Sequence, residues 1–159
     1  MTDRQLGAGE MDRHLRRMRL TTVLFMVTVP LAVAVVLVVE PRGGSTSPMV
    51  VSLVAAAAAL WIGFSANRDA GARLGRIRRA YAVHGDPSRL LADLRLVHLV
   101  VLARLEVMVL AGVVAAVVGD SRAVAWGVLA LAGLMIALAW PTADKTHMLL
   151  ERAREQRGR

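Results

Sequence analysis

Four apolar blocks, each about as long as a lipid bilayer is thick, leave this chain few choices of fold. They occupy residues 20–39, 49–66, 99–118 and 124–140. At about 1.5 Å of rise per residue, helices of these lengths cover roughly 26–30 Å, near the thickness of the hydrocarbon layer. Apolar residues fill each block instead of recurring at amphipathic intervals, as expected of a segment surrounded by lipid. Within hydrocarbon a segment has to satisfy its own backbone N–H and C=O groups, so each block is expected to be a helix. The sequence therefore predicts an all-α, polytopic membrane four-helix bundle built from two tandem transmembrane hairpins, with residues 1–159 forming a single membrane domain.

Composition agrees. Hydrophobic residues make up 56% of the chain and charged residues 20%, too little polar surface to clothe a soluble domain of this size. The arginines before the first block give it the look of a secretory signal. The block is too long for a signal core, however, and Val38-Val39-Glu40-Pro41 offers no small-residue cleavage site, so it is read as an uncleaved anchor.

Orientation is read from the basic residues, which are retained on the cytoplasmic side during insertion. Residues 1–19 carry Arg4, Arg13, Arg16, Arg17 and Arg19, residues 67–98 are rich in arginine, and residues 141–159 carry Lys145, Arg152, Arg154, Arg157 and Arg159. The two intervening loops hold only Arg42 and Arg122. These three basic segments are expected to be cytoplasmic, giving an N-in/C-in protein. Heavy Ala and Val usage, with Lys145 as the sole lysine, points to a high-GC bacterial genome and hence to a bacterial inner membrane.

The formal charge of +8 is not accompanied by a basic-aromatic surface of the kind that binds nucleic acid. Anionic headgroups on the cytoplasmic side are the expected partner, with Arg73, Arg76, Arg78 and Arg79 as the expected contact for anionic lipid or a partner protein. The same region has Ala70, Leu74, Ile77 and Tyr81 at helical spacing, which predicts a cytoplasmic helical extension between helices two and three. His84-Gly85-Asp86-Pro87 should end it, with Asp86 capping a new helix and Pro87 in its first turn.

A faint internal repeat links Leu31 to Arg42 with Ala111 to Arg122, each an apolar helix end followed by an acid, one residue and Arg. The basic stretches Arg73 to Ala80 and Leu149 to Gln156 follow at comparable places, as a duplicated hairpin would have it. Because lipid removes any hydrophobic drive between helices, association has to come from close packing of small residues. Stripes of these occur at Ala55, Ala59 and Gly63, at Gly112 and Ala116, and at Gly133 and Ala137, and these faces are expected to meet.

Two charged residues stand inside the third block. Arg104 is shallow enough for its long stem to carry the guanidinium back to the headgroups. Glu106 is deeper and shorter, so it needs a partner, with Arg19 as a candidate, or else serves as a proton- or cation-coupled site. The four histidines have no compact metal spacing, the absence of cysteine excludes a thiolate site, and no metal or cofactor is expected.

Asp69-Ala-Gly-Ala-Arg73, followed by Gly85-Asp86 and Asp93, resembles in residue type the acidic signature of the CDP-alcohol phosphotransferases, which hold divalent metals with several acids. Here Gly and Asp fall out of register, and Asn67-Arg68 stand before Asp69 without a leading acid. With no catalytic motif, the favoured reading is a non-catalytic accessory, scaffold or self-associating bundle, with membrane-protein partners or a homo-oligomer. A small transporter or channel component using Glu106 comes second, and a membrane enzyme of lipid metabolism third.

Overall fold

The computed structural model describes residues 8–38, 48–118 and 121–157. Among them the chain is entirely helical, with α1 (Ala8–Val38), α2 (Pro48–His84), α3 (Pro87–Val117), α4 (Arg122–Leu138) and α5 (Ala143–Arg157). Helices α1, α2 and α3 are each long and apolar enough to cross a membrane. Helix α4 has 17 residues, and α5 leaves it at an angle of 64°, so this bent pair makes a fourth crossing only if taken together.

The basic segment before the first block is not a separate element, because α1 is already helical at Ala8. Likewise α2 continues without interruption from its apolar half through Arg73, Arg76, Arg78 and Arg79 to His84. Gly85 ends it with a φ of 66°, and its amide donates to the Tyr81 carbonyl at 2.8 Å. A left-handed residue at this point satisfies an otherwise orphaned carbonyl, and glycine adopts it without a side-chain clash. Asp86 then caps α3, accepting from the amides of Ser88 at 3.0 Å and Arg89 at 3.4 Å. The Ser88 hydroxyl donates to the same carboxylate at 2.6 Å, and these bonds hold Asp86 below the usual aspartate range. Pro87 suits the first turn, where its missing N–H would have had no partner.

At the end of α4, Trp140-Pro141 interrupts the helix, since proline disfavours helical geometry in the residue before it. The Lys145 ammonium from α5 donates to the exposed carbonyls of Leu138 at 3.1 Å and Trp140 at 3.4 Å. This distinguishes the second half of the chain from the first. The stretch beginning at Arg73 continues α2, whereas that beginning at Leu149 belongs to a separate helix beyond a bend. The outer-turn half of the proposed repeat includes residues 39–42 and 119–120, which lie outside the described residues.

Helix α3 is the centre of the packing and touches α1, α2 and α4. Its Leu102, Leu105, Met108 and Val109 join Ala59 of α2, Val36 of α1, and Leu129 and Ile136 of α4 in one buried cluster. A second cluster lies at the end of the molecule that carries the α2–α3 turn. It combines Met11 and Leu15 of α1, Tyr81 of α2, and Leu90, Leu91 and Leu94 of α3, with Leu149 of α5 packed against it. Outward-facing Leu20, Leu24, Val27 and Leu31 give α1 an apolar exposed face, the side suited to lipid.

On α2 and α3 the small residues Ala55, Ala59, Gly63, Gly112 and Ala116 are buried. The expected stripe on α4 differs: Gly133 is half-buried and Ala137 is exposed. The buried row is instead Ala125, Leu129, Ala132 and Ile136. Gly112 explains the offset, because a side chain there would come within 3.0 Å of Leu129 Cγ and 3.1 Å of its Cδ2. Glycine on α3 thus receives leucine from α4, which turns Leu129 and the row in register with it inward. A Cβ on Gly133 would make only ordinary contact with Val29, at 3.7 Å.

These two glycines should respond differently to the same added methyl group. We expect Gly112→Ala to destabilise by about 1–3 kcal/mol through overpacking. We expect Gly133→Ala to remain within about 0.5 kcal/mol of the parent. Thermal unfolding in detergent measures both, and equal melting of the two variants would reject the tight α3–α4 contact.

Candidate functional site

The turn at Gly85-Asp86 folds α2 back along α3 and so decides which residues meet. Asp69 lies 16 residues before Gly85 and Arg104 lies 18 residues after Asp86, which puts both at similar distances, roughly 24 and 27 Å, from the turn. Arg104 Nη1 is 2.7 Å from Asp69 Oδ2. The contact is off the line of a good hydrogen bond, so charge attraction carries it. The side chains retain 31% and 48% exposure, which limits its energetic weight. Arg104 is therefore neutralised by a carboxylate on the neighbouring helix instead of relying on headgroups alone.

Glu106 meets a different kind of partner. Its Oε2 lies 2.8 Å from the Thr28 hydroxyl of α1, which is also 2.6 Å from the Phe25 carbonyl. One hydroxyl proton faces two acceptors, so Thr28 donates to only one of them at a time. Arg19 is not the partner, because its Nε donates to the Pro141 carbonyl at 3.4 Å. Two turns nearer the α2–α3 turn, Thr22 Oγ1 donates to Met18 O at 3.0 Å and lies 2.9 Å from His98 Nε2. Both contacts are satisfied when the imidazole carries its proton on Nε2 and donates to the threonine oxygen. The Thr22–His98 and Thr28–Glu106 pairs have separations of 76 and 78 residues, as expected for α1 and α3 running side by side in the same direction.

Beside these contacts lies a largely apolar cavity of about 320 Å³. His14, His98, Asn67 and Thr146 contribute polar atoms to it, and Leu105, Met135 and Trp140 form part of its apolar wall. Its lining comes from all five helices. His84 and His147 are exposed elsewhere. Along the arginine stretch of α2, Arg73 and Arg78 are half-buried while Arg76 and Arg79 are exposed. Arg73 and Arg76 line a shallow groove with Asp93.

The three acids that resemble a metal-binding signature are dispersed: Asp69 pairs with Arg104, Asp86 caps α3, and Asp93 lies in the groove beside Arg73. Among the described residues no group of three or more His, Asp or Glu side chains is placed to hold a metal ion.

Long apolar helices with charged side chains matched to partners on their neighbours define this chain as an all-helical membrane protein. In comparisons with known proteins, no family, no curated protein and no solved structure matches it.

Sequence reasoning singled out Arg104 and Glu106 but missed their partners Asp69 and Thr28 and the convergence of His14 with His98. A signal for Asp69 was available in its distance from the turn. Thr28 and the histidines depend on the α1–α3 alignment, which hydropathy does not reveal. For the ion pair we expect Arg104→Gln and Asp69→Asn each to lower the melting temperature. The double variant should be less destabilised than the sum, with a coupling of about 1 kcal/mol or less. Strict additivity in the melting curves would mean that the pair contributes nothing.

Proposed function

We propose that this chain is a small bacterial inner-membrane protein that works by association, as an accessory or scaffold subunit of a larger membrane complex or as a self-associating bundle. In this reading residues 1–159 form one multi-pass domain, a four-helix bundle with both termini and the α2–α3 turn in the cytoplasm. The distribution of basic residues supports the orientation, and in this reading residues 124–140, nearly all within α4, make the fourth crossing while residues 141–159 stay cytoplasmic.

The observation that carries the reading is the use made of the charged groups among the apolar helices. Arg104 is occupied by Asp69, and Glu106 is held by Thr28, so both charges link α3 to a neighbouring helix. Charges placed among apolar helices are costly and commonly mark function, but here each has a partner within the chain. The outward faces of α1 and α2 are apolar, with Leu20, Leu24, Leu53 and Trp61 exposed, which suits contact with lipid or another helix. We expect native mass analysis after mild detergent extraction to find the chain in a particle of defined stoichiometry, with other subunits or with copies of itself. A purely monomeric particle would overturn the reading.

One observation favours a second reading, a small proton- or cation-coupled transporter. Glu106 meets a neutral hydroxyl, whose proton Phe25 O also attracts, and not a permanent cation. The two readings separate in proteoliposomes under an imposed pH gradient. The association reading expects no proton flux from either the parent or Glu106→Gln. Flux through the parent that Glu106→Gln abolishes would establish transport.

A further inference from the structure

A groove between α1 and α3, which shares His14 with the cavity described above and lies apart from the arginines of α2, has the chemistry of an anion site. Arg13, His14 and Arg17 reach it from α1 and Arg95 reaches it from α3, around an open volume of about 510 Å³. Among the described residues no carboxylate belongs to its lining, which gathers three guanidinium groups and an imidazole at one place. The nearby Ser88 hydroxyl is committed to Asp86, so these four side chains are the available donors. Two of their nitrogens, His14 Nε2 and Arg95 Nε, are buried without a hydrogen-bond partner. Buried polar atoms in a folded protein ordinarily have partners; Arg95 Nε can only donate, and His14 Nε2 donates in one of its two tautomers, so the groove offers unmet donor capacity to an acceptor.

The depth of the groove identifies the kind of acceptor. Arg17 stands three residues before Leu20, where the first apolar block begins, and Arg95 stands four residues before Leu99, where the third begins. Leu96 and Leu99 form part of the wall, and Leu96 is exposed. A ligand here would place its anionic part among the arginines while its apolar part continued along the leucines toward hydrocarbon. Glycerophospholipids have this layout, with the phosphate at the boundary between headgroups and chains.

We propose that the groove lined by Arg13, His14, Arg17 and Arg95 is a specific site for one anionic glycerophospholipid, whose phosphate the arginines bind. The site rests on the membrane reading of the chain but not on which face is cytoplasmic, nor on the accessory role. A zwitterionic lipid carries the same phosphate but adds a cation, for which the groove has no carboxylate among the described residues. The anionic class is therefore preferred over phosphatidylcholine.

The test is native mass spectrometry of the full chain in detergent, with phosphatidylglycerol or phosphatidylcholine added in equal amounts. The parent should retain phosphatidylglycerol in preference. The triple variant Arg13→Gln, Arg17→Gln, Arg95→Gln should bind it on the order of a hundredfold more weakly, about fivefold for each arginine removed. The variant Arg122→Gln, Arg152→Gln, which removes two exposed arginines outside the groove, should bind like the parent. If the triple variant does not fold, Arg95→Gln alone should still show the fivefold loss, with Arg95→Lys recovering part of it.

Equal retention by the parent and the Arg95 variant would overturn the site. So would equal retention of the two lipids, or displacement of phosphatidylglycerol by glycerol phosphate at equal concentration, which would assign the groove to a soluble phosphate ester. Extraction of the parent from membranes by alkaline carbonate separately overturns the membrane reading itself.

Discussion

The central constraint on this protein is that apolar helices gain little from one another in lipid beyond what close contact provides. Hydrocarbon chains solvate leucine as well as another leucine does, so helices stay together only where their surfaces approach tightly or where polar groups find partners. Helix α3 supplies both. Gly112 admits Leu129 of α4, Met108 packs at Gly63 of α2, and Arg104 and Glu106 reach partners on α2 and α1. The remaining helices are arranged around these contacts.

The polar contacts follow from the same geometry. The turn at Gly85-Asp86 aligns α2 with α3 in opposite directions, so Asp69 and Arg104 fall at matching distances from it. The parallel course of α1 and α3 aligns Thr22 with His98 and Thr28 with Glu106. Farther toward the turn, the same alignment brings the arginines of α1 beside Arg95 and makes a cationic groove from residues distant in sequence. The charged end of the molecule is held by its own apolar cluster around Leu15, Tyr81 and Leu91, which gives the basic residues there a fixed setting.

Much of the fold is legible in the sequence. The Gly85-Asp86-Pro87 boundary and the uninterrupted third helix follow from local chemistry, because a left-handed glycine, a capping carboxylate and a first-turn proline act on adjacent residues. Asp86 and the helical course of α3 to Val117 needed no tertiary information. The inner row of α4 was less accessible. A stripe of small residues gives Gly133 and Ala137 as readily as Ala125 and Ala132, and only the seat that Gly112 offers to Leu129 chooses between them. The bend after Trp140 is signalled by Pro141, but the direction of α5 depends on the capping of Leu138 and Trp140 carbonyls by Lys145.

The candidate site divides in the same way. Arg104 and Glu106 stand out in sequence because charge inside an apolar block is expensive wherever the block lies. Their partners do not, since Asp69, Thr28, His14 and His98 are ordinary residues until helix alignment brings them to bear. By itself the sequence determined an all-helical membrane chain, its principal apolar spans and the two charges within the third, because hydropathy and backbone satisfaction act on each segment separately. Only the tertiary structure decided which faces meet, what neutralises Arg104, what holds Glu106, and that Arg13, Arg17 and Arg95 share one groove. Those outcomes depend on the relative rotation and alignment of helices, which a one-dimensional pattern does not specify.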